Sequence, residues 1–245
     1  MNRKLLVVNA DDLGFAPDVN ASIEALHRAG IVTSASLMVD GKHVADALTI
    51  IHRNPRLGVG LHLDLCPVVG LYSLPYNQMR ERLSNPDIQN AVAAEVDRQI
   101  TAFKRYGLEF THLDSHRHFH ALPELFALVV EVSARHGAKS MRLTKNWLLP
   151  RTPSVHWDED FFHDARHILH RRSIRFPDNF IYGWRDYSLL DCRPGLNELM
   201  VHVGSADAEY SREYALLSSL AFRQSLEATE VELRSYQQIT RGHLE

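Results

Sequence analysis

Cysteine is scarce in this chain, with Cys66 and Cys192 the two present among 245 residues. Two cysteines cannot form the disulfide framework of a small secreted fold, and they fit a reducing compartment. Long apolar runs are also missing. No stretch approaches the roughly 20 residues that cross a bilayer. The apolar run before Asn9 is too short for the core of a signal peptide. A cytoplasmic protein meeting small substrates is therefore expected. Positive charge is not concentrated either. The formal net charge is −3, and the most basic stretch, RHILHRRSIR at 166–175, reads as the solvated face and end of a helix. That argues against nucleic acid or an anionic membrane as a partner. No phosphate-cradling glycine loop, internal repeat, low-complexity tract or linker is visible. What remains, at 45% hydrophobic and 23% charged residues, is an ordinary globular composition with a sizeable core.

Strand-like and helix-like segments alternate. Residues 5–9 (LLVVN) are a short β-branched apolar run, which predicts a buried strand. Pro17 opens a helix that Gly30 stops. A strand over 31–39, a helix over 44–53 closed before Pro55, and a strand over 57–65 follow. Beyond a proline- and tyrosine-containing irregular stretch at 66–86 come a helix over 87–106, a strand over 110–115, a helix over 124–136 and a strand over 139–144. Residues 146–157 read as loop and 159–172 as helix. Within the poorly readable 173–193 a short strand is expected near 180–182. A strand over 197–203 and a helix over 212–226 complete the pattern. This rhythm predicts an α/β fold with a parallel sheet and right-handed crossovers. The simplest architecture is one domain over 1–245, an irregular TIM-like (β/α) barrel of eight or fewer strands. In such barrels the chemistry sits at the C-terminal ends of the strands.

Three motifs fall at such ends: NADDLG at 9–14, GLHLDL at 60–65 and THLDSHRHFH at 111–120. They supply adjacent carboxylates, an isolated histidine after a glycine, and four histidines around an aspartate. A hydrolase needs that set to hold one divalent metal and activate water. Asp11 and Asp12 directly follow the first strand, so both can turn toward one cavity, one binding metal and the other serving as base. The plainer alternative is a turn cap and a solvated loop residue. His62 lies between apolar residues, with Gly58 and Gly60 allowing close approach on that face. Asp64, two residues on, either orients His62 or starts the loop. His112, Asp114 and His116 alternate on one face. His116 is the ligand candidate, His112 has a structural reading, and His118 and His120 lie beyond the strand, with the loop surface as their alternative. His202, near the end of 197–203, could protonate a leaving amine or be a buried polar residue.

These motifs, with IVTSASLMV and the C-terminal MVH, resemble the YdjC-like carbohydrate deacetylases, in order and over nearly the whole chain. The resemblance implies an Asp-His-His metal triad on an irregular (β/α) barrel and removal of the N-acetyl group from small sugars or glycolipid glucosamine units. Carried over by position, it makes Asp12, His62 and His116 ligands of one divalent ion, Mg²⁺ or Zn²⁺. Asp11 becomes the base that takes a proton from the attacking water, and His202 the acid. Arg117 interrupts what is commonly a run of histidines, and Val203 stands where a proline often follows the C-terminal histidine. Asp64, His118, His120, Tyr72 and Trp147 are candidates for sugar contact, the two aromatics as stacking platforms or core residues. A homodimer is expected from the resemblance alone. Two other classes compete. One is a metal-dependent amidohydrolase or phosphoesterase on a non-sugar substrate, disfavoured by the single carboxylate pair. The other is a non-catalytic carbohydrate-binding protein, disfavoured by the spare carboxylate of the Asp11–Asp12 pair.

Overall fold

A computed structural model of the chain describes residues 3–70, 76–144, 159–181, 192–228 and 230–241. Along the chain run β1 (Lys4–Leu13), α1 (Pro17–Arg28), β2 (Ser34–Leu37), α2 (Val44–Arg53), β3 (Gly58–Leu63) and α3 (Cys66–Val69). Next come α4 (Tyr76–Leu83), α5 (Pro86–Arg105), β4 (Leu113–Ser115), α6 (Pro123–Arg135) and α7 (Glu159–Arg171). The chain closes with β5 (Asn179–Ile181), β6 (Gly195–Val201), α8 (Ala208–Leu217), α9 (Leu220–Ala228), β7 (Glu232–Leu233) and α10 (Tyr236–Arg241). The strand pairings described are all parallel, and the fold class is the expected α/β of (β/α)-barrel type. Two compact bodies divide the chain, one being Leu61–Phe176 and the other the residues before and after it. Among the described residues no helix is long and apolar enough to cross a membrane.

In the body holding the termini, β1 lies between β2 and β6. Asn9 stands opposite Ser34 on one side, and Lys4 through Ala10 stand opposite Gly195 through Val201 on the other. β5 extends the sheet beyond β6, and β7 pairs with Leu5 and Leu6. Every β1 residue after Lys4 is buried. Such a strand is covered on both faces, so it reads as a continuous apolar run rather than an alternation. Leu6, Val7 and Val8 are fully enclosed, each worth about 1.5–3 kcal/mol of burial. Below the sheet, Tyr236 packs with Leu5, Val7, Leu196 and Ile239. Its hydroxyl donates to Glu198 (2.7 Å), which gives that buried carboxylate a partner. α1 starts at Pro17 without a side-chain cap. It ends where Gly30 takes a left-handed φ of 79° and donates to the His27 carbonyl, which only glycine does at little cost.

In the other body, β3 and β4 pair with Leu61 opposite Leu113, His62 opposite Asp114 and Leu63 opposite Ser115. α5 is capped by the Asn85 side chain, which accepts from the Asp87 amide (2.8 Å) with Pro86 in the first turn. It buries Val92, Val96, Ile100 and Phe103, the three-to-four spacing of one helix face. α6 buries Leu125, Phe126, Val129 and Val130.

Several expected boundaries change. β1 runs on through Asp11 and Asp12 to Leu13, because Asp12 takes a φ of 65° and the register with β2 shifts between Ala10 and Leu13. The shift absorbs an irregularity without ending the strand. The stretch 66–86, expected as loop, contains α3, closed by Gly70, and α4. The helix over 212–226 is two helices. The Ser219 hydroxyl accepts from the Phe222 amide (3.1 Å) and caps a fresh start. The strand over 139–144 is reduced to single bridges at Ser140 and Met141, and that over 110–115 to β4. The short strand near 180–182 is found as β5.

Candidate functional site

β1 carries polar side chains into a buried setting, so each must find a partner. Asn9 and Asp11 lie two apart on the strand and both are buried. The Asn9 amide donates to Asp11 Oδ1 (2.9 Å) and to Ser36 Oγ of β2 (2.8 Å). Asp11 is thus held at one oxygen by a fixed donor. Asp12 is also buried, and its left-handed backbone suits a short polar residue better than most. The Tyr210 hydroxyl of α8 donates to Asp12 Oδ2 (2.8 Å). Burial and the Asp12 carboxylate together push the Tyr210 hydroxyl well above its ordinary pKa, so it stays a donor. The Tyr210 ring stacks on His202, with centroids 5.2 Å apart and planes at 29°. His202 follows the last β6 residue, Val201, whose neighbour Met200 stands opposite Asn9. The His202 amide donates to the Glu213 carboxylate of α8. α8 itself is capped by Asp207, which accepts from the Glu209 and Tyr210 amides. One helix therefore positions Asp12 through Tyr210 and His202 through both Tyr210 and Glu213.

The β3–β4 register makes the second cluster. Directly opposite residues point to the same side, and His62 Nδ1 lies 2.7 Å from Asp114 Oδ1. A carboxylate only accepts, so Nδ1 carries the proton, and in the neutral ring that leaves the Nε2 lone pair for a metal. Asp114 Oδ2 meets Arg142 Nη2 at 2.8 Å, and all three side chains are almost fully enclosed. Burial raises the Asp114 carboxyl, but Arg142 and His62 outweigh it and hold it far below the usual carboxylate range. The His116 ring sits edge-on to His62, with centroids 5.8 Å apart, and one nitrogen of each lies within 4.8 Å of the other. Two imidazoles so disposed, one locked in the binding tautomer, fit a borderline divalent cation.

His116 no longer shares a strand face with His112 and Asp114. The strand stops at Ser115, and residues 116–121 form a tight 3-10 turn with Arg117 and His118 both at left-handed φ. The turn is pinned by His120. Its amide donates to Ser115 Oγ (2.9 Å), and Nε2 lies 3.0 Å from the Arg142 carbonyl. A carbonyl cannot donate, so Nε2 carries the proton and Nδ1 accepts from Ser115 Oγ at 2.7 Å. Burial lowers His120 to about 4 and His112 to about 3, so both are neutral at physiological pH. His118 is buried as well, so neither His118 nor His120 takes the loop-surface alternative. His112 is enclosed beside Thr111, whose hydroxyl lies 2.8 Å from Nδ1.

Asp64 does not orient His62. Its carboxylate accepts from the Cys66 amide (3.0 Å) and so starts α3, while Asp114 takes the orienting role. Tyr72 and Trp147 lie outside the described residues. Sequence reasoning passed over Arg142, Tyr210, Glu213 and Ser36 and gave Asn9 no role of its own. Asn9 could have been found, because it alternates with Asp11. Tyr210 lies 198 residues from Asp12 and leaves no local signal.

A family model described as YdjC-like protein matches residues 5–228. A carbohydrate deacetylase of Brevibacillus brevis is 39% identical over 136 residues, which are 52% of this chain and 55% of that protein. The chain thus spans little more than half the length of that relative. A chitooligosaccharide deacetylase of Enterobacter sp. is 34% identical over 179 residues, 66% of this chain and 70% of that protein. Among solved structures, a putative cellobiose-phosphate cleavage protein of Enterococcus faecalis has a TM-score of 0.73 at 22% identity, covering 97% of this chain and 99% of that one. That likeness shows a common fold.

Proposed function

We propose that this chain, which belongs to the YdjC-like family, is a metal-dependent hydrolase that removes the N-acetyl group from a small N-acetylated sugar. The substrate is a chito-oligosaccharide or the glucosamine unit of a glycolipid. The observation that carries the reading is the His62–Asp114 pair, which fixes the ligand tautomer of His62 beside His116. The names of the curated relatives support the substrate class.

In this reading Asp12, His62 and His116 hold one divalent cation, Mg²⁺ or Zn²⁺. When bound, such an ion polarises the amide oxygen and acidifies water. Asp11, oriented by the Asn9 amide, accepts the proton of the attacking water. His202 gives a proton to the departing amine, with its ring set by Tyr210. The amide C–N bond breaks, a C–O bond forms, and acetate and the free amine are released. Asp64 and His118 contribute to sugar binding, while His120 braces the turn that carries His116. The working protein is a cytoplasmic homodimer, which sedimentation of the purified chain tests.

The experiment is acetate release from N-acetylglucosamine, chitobiose and longer chito-oligomers, comparing the native chain, the chelated chain and Asp11→Asn. Release that needs both metal and Asp11 is expected, and the preferred oligomer gives the substrate length. A metal-loaded chain that releases acetate from none of them overturns the sugar assignment. Near-native release by Asp11→Asn overturns its role as base.

A further inference from the structure

α7 presents His163 and His167 one helical turn apart, both exposed and both outside the clusters described above. Their Nε2 atoms lie 3.1 Å apart, and the rings meet edge-on with centroids at 4.3 Å and planes at 75°. Between the protein's own atoms, this contact is an N–H of one imidazole donated to the lone pair of the other. A first-row transition ion asks for the same spacing. With a metal–nitrogen distance of about 2.05 Å, two ligating nitrogens stand about 2.9 Å apart at a right angle and about 3.4 Å apart at the tetrahedral angle. The observed 3.1 Å falls between these limits. Residues four apart lie on one helix face, so with no change of backbone the cation takes the place of the shared proton, which moves to Nδ1 of the donating ring.

We propose that His163 and His167 form a second, solvent-facing divalent transition-metal site. Both Nε2 atoms ligate, and water fills the other positions. The donor chemistry selects the ions. Two neutral imidazoles without carboxylates favour Cu²⁺, Ni²⁺ and Zn²⁺ over Mg²⁺ and Ca²⁺. Asp164 stays out of the coordination sphere, because its carboxylate lies 3.8 Å from His163 Nδ1, the nitrogen on the far side of the ring. Because the pair exists only when α7 is helical, bound metal stabilises that helix.

Ni²⁺ is the probe, titrated calorimetrically into the full chain at neutral pH. To silence the candidate catalytic cluster, the titration is repeated with Asp12→Ala, His62→Ala and His116→Ala combined. One Ni²⁺ per chain is expected to remain in that background, resisting excess Mg²⁺. Adding His167→Ala or His163→Ala should weaken it about tenfold or more, because the second ligand no longer acts at high effective concentration. If the combined variant does not fold, the single His167→Ala change in the otherwise native chain suffices. Ni²⁺ should slow amide exchange within α7 of the native chain and not of this variant, with acetate release unchanged. Ni²⁺ stoichiometry, affinity and α7 exchange that are indifferent to both substitutions would overturn the site.

Discussion

Asp114→Asn tests the second cluster most severely. The side chain keeps its shape but loses its charge, while Asp114, Arg142 and His62 are at 0%, 0% and 1% exposure. The Arg142 guanidinium then sits in the interior without its carboxylate. Removing one partner of a buried ion pair costs about 3–5 kcal/mol, because the remaining charge is neither solvated nor compensated. In a chain of this length each kcal/mol moves the midpoint by about 2–4 °C. The expected loss is therefore about 6–20 °C in thermal midpoint. Asp114 ionises far below its ordinary range, so its contribution is fully present at pH 7 and declines as the pH falls below the ordinary carboxylate range, where the unfolded chain takes up the proton first. The unfolding comparison belongs at pH 7 with chelator present, so that metal binding adds nothing to either protein.

A second effect separates stability from function. Asparagine can still accept from His62 Nδ1, but it no longer raises that ring's basicity, and it can also turn its amide toward the ring. Loss of such a partner weakens metal affinity by about 10–100-fold. The double variant Asp114→Asn/Arg142→Met removes both charges. It should recover much of the lost stability while leaving metal affinity low. An Asp114→Asn chain unfolding within about 1 kcal/mol of the native one, below the range expected for a broken buried pair, with unchanged metal affinity, would refute the reasoning on both counts.

Asp11→Asn should retain its metal, measured by elemental analysis, and lose about 10²–10⁴-fold in acetate release, the usual contribution of a general base. His62→Ala and His116→Ala should each come through gel filtration without metal while keeping native circular dichroism. Tyr210→Phe removes the hydroxyl that Asp12 accepts from at 2.8 Å. Urea unfolding should show it about 1.5–3 kcal/mol less stable, the value of a hydrogen bond to a charged group. His120, lowered to about 4, takes up its proton in the unfolded chain first. Its contribution is therefore complete above about pH 6.5 and fades toward pH 4, costing about 2 kcal/mol by pH 5. Its ring resonances should stay those of the neutral form down to about pH 5, and titration near pH 6.5 would contradict the buried assignment.

Local chemistry was legible in the sequence, and pairings across long separations were not. α2 occupies the expected 44–53, because its amphipathic stretch is bounded just before Pro55. α5 and α6 begin one residue before their expected starts, at prolines that tolerate the first turn. β1 outran its expectation because nothing local announces that Asp12 will take a positive φ and let the strand continue. The division of α8 from α9 turned on one serine hydroxyl. In the candidate site the motif residues were visible, and the groups that hold them were hidden. Arg142 reaches Asp114 from a stretch read as a strand, and Tyr210 reaches Asp12 from a helix whose start was placed at 212.

The assignment of Asp64 shows why. Asp64, two residues away, could orient His62 or start the loop, whereas the partner found is Asp114, 52 residues on. The choice is made by the register of β3 against β4. Val59, Leu61 and Leu63 occupy one face of β3, with Leu61 opposite the enclosed Leu113. His62 alternates onto the other face and so falls opposite Asp114. A slip of one residue would put a leucine opposite Asp114 and turn His62 among apolar side chains. It would also leave the Asp114–Arg142 pair beside a residue that offers no donor. The leucines that hold the register by burial thereby also select which carboxylate sets the His62 tautomer. Packing and site chemistry in this body are specified by one alternation, and a core substitution that shifts β3 by a residue should abolish metal binding without touching a ligand.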